Sequence, residues 1–394
     1  MNTVSDAQAV DSALVARKLE ALLSRAPRPV ALHEPVFQGN EWANLKDCLD
    51  TGWVSSVGSY VDRFERELGE QVGGYAVAVG NGTAALHACL LIAGVTAGDE
   101  VLIPALTFIA TANAVSYCGA VPHFVDSSEQ TLGVDPERLA TYLKEIAEVR
   151  GGECRSRASG RRISAIVPMH TFGHPVDLDA LREVAEAFHI ALVEDAAESL
   201  GSYYKGEHTG GLGIVGALSF NGNKIITTGG GGAVVTRDAA LAKRAKHLTT
   251  TARVPHRWSF IHDEVGYNYR MPNLNAALGC AQLEQLPGLV EKKRSLAARY
   301  LATFAGVPGV RIFTEPGFAK SNYWLNVLLL DEACASQRDE ILELTNSSGI
   351  HTRPVWTLMH KLSMFSGCPR MDLAAAESLE RRIVCLPSGP RLAS

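Results

Sequence analysis

The chain has 394 residues, 46% hydrophobic and 20% charged, with 36 Gly and 17 Pro. That composition suits a globular protein with more than one hydrophobic core. A net charge of -5 gives no electrostatic case for nucleic acid or an anionic membrane surface, and no apolar run reaches the roughly 18 residues that span a bilayer.

Residues Met1 to Arg28 carry no signal-peptide core, so a cytoplasmic location is expected. The eight cysteines form no C-x-x-C pair. Neither a zinc site nor a redox motif is expected, and no other metal site is read from the sequence. Buried free thiols fit a reducing compartment.

Residues Asp6 to Ser24 read as an amphipathic helix carrying Val10, Leu14, Leu19 and Leu22, ended by Pro27 and Pro29. Residues 1–30 are set apart as this helix. Trp53 to Gly58 is a loop, and Tyr60 to Leu68 a helix. Tyr75 to Val79 is a strand, Gly80 to Thr83 a turn, and Ala84 to Ala93 a helix that Asn81 or Thr83 can cap. A strand, a glycine turn and a helix N-terminus can hold an anion; an ordinary strand-to-helix connection reads the same way.

Strand and helix then alternate. Glu100 to Pro104, Ala120 to Asp126, Ile163 to Met169 and Ile190 to Val193 are strands. Ile109 to Tyr117, Leu139 to Val149 and a segment capped by Asp177 are helices. Residues Arg150 to Arg162, with five arginines and no apolar period, read as a surface loop.

Ala217 to Phe220 is a short apolar run. It leads to Asn221-Gly222-Asn223-Lys224, two threonines, and Gly229 to Gly232. Four glycines mark a tight path or a close backbone approach. A lysine between apolar strands is desolvated, which favours the neutral amine that forms imines. A glycine-rich hairpin with an exposed lysine is the competing reading.

Beyond Thr236 come helices at Ala239 to Leu248, Asn273 to Leu286, Leu289 to Phe304 and Glu340 to Ser347. Strands are expected at Val310 to Phe313, Tyr323 to Leu330 and Ile383 to Leu386. The expected fold is α/β: a large parallel-sheet domain over 31–286 and a smaller α+β domain over 287–394. Thr83, Phe108, His170, Asp195 and Lys224 all fall at or just after strand ends, where such sheets bind ligands.

An aldehyde cofactor with a phosphate fits these groups. Lys224 supplies the amine. Asp195 can pair with a pyridine nitrogen and keep the ring an electron sink; alone it equally fits a helix cap or an ion pair. Thr83, the amides after Gly82, and Ser219 can hold phosphate, and Phe108 can stack on the ring.

Four segments carry a family resemblance: Asn81 to Leu86, Glu194-Asp195-Ala196-Ala197-Glu198, Ser219 to Lys224 with its glycines, and Gly266 to Met271. From about Pro35 to the C-terminus the chain resembles the DegT/DnrJ/EryC1/StrS nucleotide-sugar aminotransferases, which use pyridoxal phosphate on the aspartate-aminotransferase fold (fold type I). Asn221 to Lys224 and Leu248 to Ala252 look most like the branch that makes 4-amino sugars for bacillosamine or legionaminic acid.

The resemblance implies that Lys224 holds the cofactor as an imine and shuttles a proton, while Asp195 meets the ring nitrogen. It places Glu198 near the ring hydroxyl, and gives the phosphate to Gly82, Thr83, the Ala84 amide and Ser219. Asn268 would reach the phosphate of a neighbouring subunit in a homodimer with shared active sites. L-Glutamate would aminate the cofactor to pyridoxamine phosphate. The acceptor would be a nucleotide-linked 4-keto-6-deoxy sugar, UDP-2-acetamido-4-keto-2,4,6-trideoxyhexose first, with GDP- and dTDP-linked sugars as alternatives. Sugar and nucleotide contacts are expected from Ser55, His170, Arg353, Trp356 and His360. A non-catalytic cofactor-binding regulator and a lyase acting on a small amino acid are the competing functions.

Overall fold

A computed structural model describes residues 10–393. The start expected for the first helix, at Asp6, lies outside them; the helix itself is Ser12–Leu22. Among the described residues, no helix is long and apolar enough to cross a membrane.

A seven-stranded sheet forms the centre. Its strands are β1 (Tyr75–Val79), β2 (Glu100–Pro104), β3 (Val121–Val125), β4 (Ile163–Ile166), β5 (Ala191–Asp195), β6 (Val215–Ser219) and β7 (Gly232–Thr236). Their spatial order is β1-β7-β6-β5-β4-β2-β3. Pairings from β6 across to β3 are parallel. Only β7 breaks the expected parallel sheet, running antiparallel to both neighbours. Helices cover both faces, so the strands are buried almost throughout, as their continuous apolar runs require. Glu100, buried at the start of β2, is compensated by His123 at 2.9 Å and the Ser159 hydroxyl at 2.6 Å.

Asn81, Asp135, Asp177 and Asp238 each cap a helix through a side-chain oxygen. Each satisfies an amide that the first turn leaves free.

A second, antiparallel sheet contains β8 (Val310–Ile312), β9 (Asn326–Leu330), β10 (Arg353–Pro354) and β11 (Ile383–Leu386), in the order β8-β9-β11-β10. The N-terminal helix packs here: Val15 and Leu19 share a core with Leu296, Tyr300, Leu328 and Ile341.

Residues expected as an arginine-rich loop instead form a hairpin, Ala147–Arg150 against Glu153–Ser156. Arg155 and Arg162 pair there with Glu153 and Asp99, so alternating charges stand where an apolar period would have signalled a strand. Two helices carried no usable signal. Glu41–Thr51 buries only Glu41 and Cys48, which is too little for an apolar stripe. Ala374–Arg382 is mostly alanine and charge.

Candidate active site

The antiparallel strand builds the site. In register, Gly232 faces Val79 on one side and Ser219 on the other. Ala217 lies opposite Asp195. The ends of β1, β6 and β5 therefore meet the start of β7 at one edge of the sheet. The turn after β1 folds over that edge so closely that a Cβ on Gly232 would lie 2.6 Å from the Asn81 carbonyl. A Cβ on Gly82 would lie 2.8 Å from Ser219 Cβ. Glycine is required at both positions by space, not by φ.

This packing sets the N-terminus of helix Gly82–Ile92 beside the Ser219 hydroxyl. The first-turn amides of Gly82 and Thr83 have no partner within the helix. The Ala84 amide differs: it donates to Asn81 Oδ1 at 2.8 Å. The phosphate role expected for it is taken by the cap.

Lys224 sits on the loop between β6 and β7. Phe220 N–H donates to the Gly231 carbonyl, and Thr228 N–H donates back to the Phe220 carbonyl. These bonds close the loop at its base and aim the lysine over the sheet edge. Its Nζ lies 3.2 Å from Glu198 Oε1 and 4.0 Å from the centroid of the Trp324 ring. Trp324 is itself fixed by Nε1–H donating to the Asn223 carbonyl at 2.7 Å. The lysine is mostly buried, not displayed on an exposed hairpin.

Asp195, 2% exposed, ends β5. Its carboxyl accepts from Thr111 Oγ1 at 2.6 Å and from the Ala197 amide at 3.2 Å. Burial raises its pKa, while those two donors favour the carboxylate. Glu198 is also buried, and burial pushes its pKa up to about 7 against the opposing pull of Lys224. Its other oxygen accepts from Phe172 N–H at 2.9 Å. Phe172 adopts φ 57, an uncommon conformation for a side chain of this size. The turn it makes delivers that N–H to Glu198 and lays its ring beside Trp324 and Trp356.

A cavity of about 290 Å³ opens between these groups. Gly82, Thr83, Phe108, Asp195, Glu198, Ser219, Lys224 and Trp356 line it. Arg353 and Trp356 line an adjoining chamber. Asn268 is exposed and bridges to Thr250. Ser55 is exposed, and its carbonyl accepts from Asn273 N–H. Neither lines the cavity.

His170 is placed elsewhere. It is fully buried, its Nε2 is 3.0 Å from Glu194, and its Nδ1 accepts from Val176 N–H. With both nitrogens engaged it braces the loop after β4 and does not reach the cavity. His360, also buried, contacts Glu377 and lies off the cavity.

Sequence reasoning missed Thr111, Trp324 and Phe172. Thr111 looked like one more residue of an apolar helix, and Trp324 like the start of a strand. Their importance comes from contacts across 84 and 101 positions of chain respectively.

These residues fit pyridoxal phosphate. Gly82 and Ser219 meet closely enough to place the first-turn amides and the Ser219 hydroxyl together, as a phosphate requires. The buried carboxyl of Asp195 and the amine of Lys224 border the same space, and Phe108 supplies an exposed aromatic face. The fold and this set of groups are those of a pyridoxal-phosphate-dependent aminotransferase. The chain belongs to the DegT/DnrJ/EryC1/StrS aminotransferase family, whose model matches residues 36–394.

The chain is 36% identical over 366 residues to the GDP-perosamine synthase of Escherichia coli O157:H7, covering 93% of this chain and 94% of that protein. Among solved structures it resembles DesI in the presence of its TDP-sugar product, at 30% identity and TM-score 0.79, covering 96% and 95% of the two chains. The aminotransferase TlmJ from Streptoalloteichus hindustanus is similar at 29% identity and TM-score 0.81, covering 91% and 93%.

Proposed function

We propose that this enzyme moves an amino group from L-glutamate to the keto carbon of a nucleotide-linked 4-keto-6-deoxy sugar. The observation that carries the reading is the meeting of Lys224, Asp195 and the Gly82–Ser219 cradle in one cavity. The similarity to the Escherichia coli GDP-perosamine synthase favours a GDP-linked sugar as the first acceptor to try. The resemblance of Asn221 to Lys224 and Leu248 to Ala252 keeps the UDP-linked trideoxyhexose beside it.

When bound, pyridoxal phosphate supplies an electron-poor ring that stabilises negative charge on the carbon next to the transferred nitrogen. The protein does the rest. Thr83, Ser219 and the amides of Gly82 and Thr83 hold the phosphate. Asp195 meets the ring nitrogen as a carboxylate, a state supported by Thr111 and Ala197. Phe108 covers one face. Lys224 Nζ carries the proton between carbons, and Glu198, 3.2 Å away, accepts or returns one as the amine changes charge. Arg353 and Trp356 contact the incoming substrate.

A homodimer in the cytoplasm completes the reading. Trp258, Phe260 and Val265 are 74%, 78% and 82% exposed on the segment leading to Asn268. Large apolar side chains so displayed mark an interaction face, and a second copy docked there would receive Asn268 at its phosphate.

The experiment measures 2-oxoglutarate release from L-glutamate with GDP-, UDP- and dTDP-linked 4-keto sugars. Release that depends on a keto sugar is expected. No release with any of them supports a non-catalytic role, and glutamate turnover without an acceptor supports a lyase.

A further inference from the structure

Behind Trp324 lies a second chamber of about 410 Å³. It shares Asn223, Trp324 and Trp356 with the Lys224 cavity. Its wall includes His33, which the roles above do not use. Both ring nitrogens of His33 are buried and make no hydrogen bond. Buried polar atoms without partners are rare and need a cause. The same wall holds Asn223 and the cationic Arg353, whose Nη1 donates to Asn346 Oδ1 at 2.8 Å and to the Thr352 carbonyl at 2.7 Å. Among the described residues it has no carboxylate partner.

The fold brings the two together. Val30 bridges in parallel to Ile350, and His351 N–H donates to the Val30 carbonyl. The chain entering His33 therefore runs alongside the chain entering Arg353, three residues on in each case. Lys293, fully buried, donates to the carbonyls of Trp324 and Ser388 and holds the segments behind this wall. Burial keeps the His33 pKa well below its ordinary value. His33 is thus a neutral imidazole with one N–H to give.

We propose that His33 and Arg353 form the carboxylate subsite for the amino donor, with His33 as a specificity-determining residue. The inference rests on the donor reading above. A guanidinium pairs readily with a carboxylate, and an imidazole N–H can take a remaining oxygen. The donor's amine must reach the Lys224 cavity, and this chamber adjoins it through the shared residues Asn223, Trp324 and Trp356.

The test uses the full-length, cofactor-loaded protein. Calorimetry measures binding of 2-oxoglutarate and, separately, of GDP, which carries phosphate but no carboxylate. His33→Phe should weaken 2-oxoglutarate binding by roughly tenfold, the worth of a hydrogen bond to a charged group, and leave GDP binding unchanged. His33→Asn, which keeps a donor, should restore most of the loss. Arg353→Gln, at an exposed position that the core does not need, should lose the same affinity. Unchanged 2-oxoglutarate binding in both His33→Phe and Arg353→Gln overturns the subsite while leaving the aminotransferase reading intact. Loss of GDP affinity instead overturns it by giving the chamber to phosphate. A wild-type protein that turns over glutamate but ignores 2-oxoglutarate overturns it too, and one that neither turns over glutamate nor binds 2-oxoglutarate removes the donor reading as well.

Discussion

Lys224 and Glu198 stand 3.2 Å apart, nitrogen to oxygen, in a pocket where the glutamate is fully buried. A carboxyl with its pKa raised to about 7 beside an amine can exist in either charge state near neutral pH. The native state binds that proton more tightly than the unfolded chain does. The cost of this site to stability is therefore absent below about pH 4.5, grows between 4.5 and 7, and is full above 7. Glu198→Gln removes the titration. Comparing denaturant midpoints of the two apo-proteins between pH 4 and 8, wild type should lose ground to the variant by about 3 kcal/mol as pH rises. A constant difference across that range would show that Glu198 does not titrate there.

Lys224→Ala should bind the cofactor only through the cradle and should lack the visible band of the lysine-bound form. Turnover should fall by at least the order of 10²–10⁴ that a positioned proton carrier contributes. Absorbance spectra and a 2-oxoglutarate assay check both. An unchanged visible band would mean that another amine holds the cofactor.

Gly82→Ala places a methyl 2.8 Å from Ser219 Cβ. The two segments must part, at a cost of about 1–3 kcal/mol for overpacking. Cofactor retention on dialysis should drop far more than thermal stability, because the strain falls on the phosphate cradle and not on the core. Equal retention would show that the phosphate sits elsewhere.

Thr111→Val removes the 2.6 Å hydrogen bond to Asp195. One donor that favours the carboxylate is lost, so the Asp195 pKa should rise further. The acid limb of the kcat–pH profile should move to higher pH with KM for the sugar little changed. Stability should fall by about 1–3 kcal/mol, since the buried Asp195 oxygen is left unsatisfied.

Asn268→Ala tests the shared site. If a second copy receives this side chain, the variant should still associate but release cofactor faster, as seen by dialysis alongside size-exclusion chromatography. A monomer that keeps its cofactor would contradict the homodimer reading.

Much of this was legible in the chain itself. Strands such as Tyr75–Val79, Glu100–Pro104 and Ile383–Leu386 are largely apolar runs, and their boundaries can be read directly. Asp195 and Lys224 stand out by falling at or just after strand ends. The direction of β7 does not, because an apolar pentapeptide reads the same in a parallel or an antiparallel ladder. His170 also misled: its position after a strand is that of a ligand-binding residue, yet Glu194, 24 positions on, had already claimed its ring. Thr111, Trp324 and His33 act through partners far away in the chain, and no local pattern marks them.

The reversal of β7 has one more consequence. The segment that carries Lys224 leaves the sheet at Ser219 and returns at Gly232, and these two residues are paired in the ladder. The amine is therefore on a tether whose two ends are stapled side by side. Lengthening this stretch by even one residue would swing the nitrogen away from its target without disturbing either strand, so insertions here should silence the enzyme while the protein still folds. Surface connections elsewhere, such as the turn at Gly151–Gly152, carry no such restriction, and an insertion there should leave activity intact.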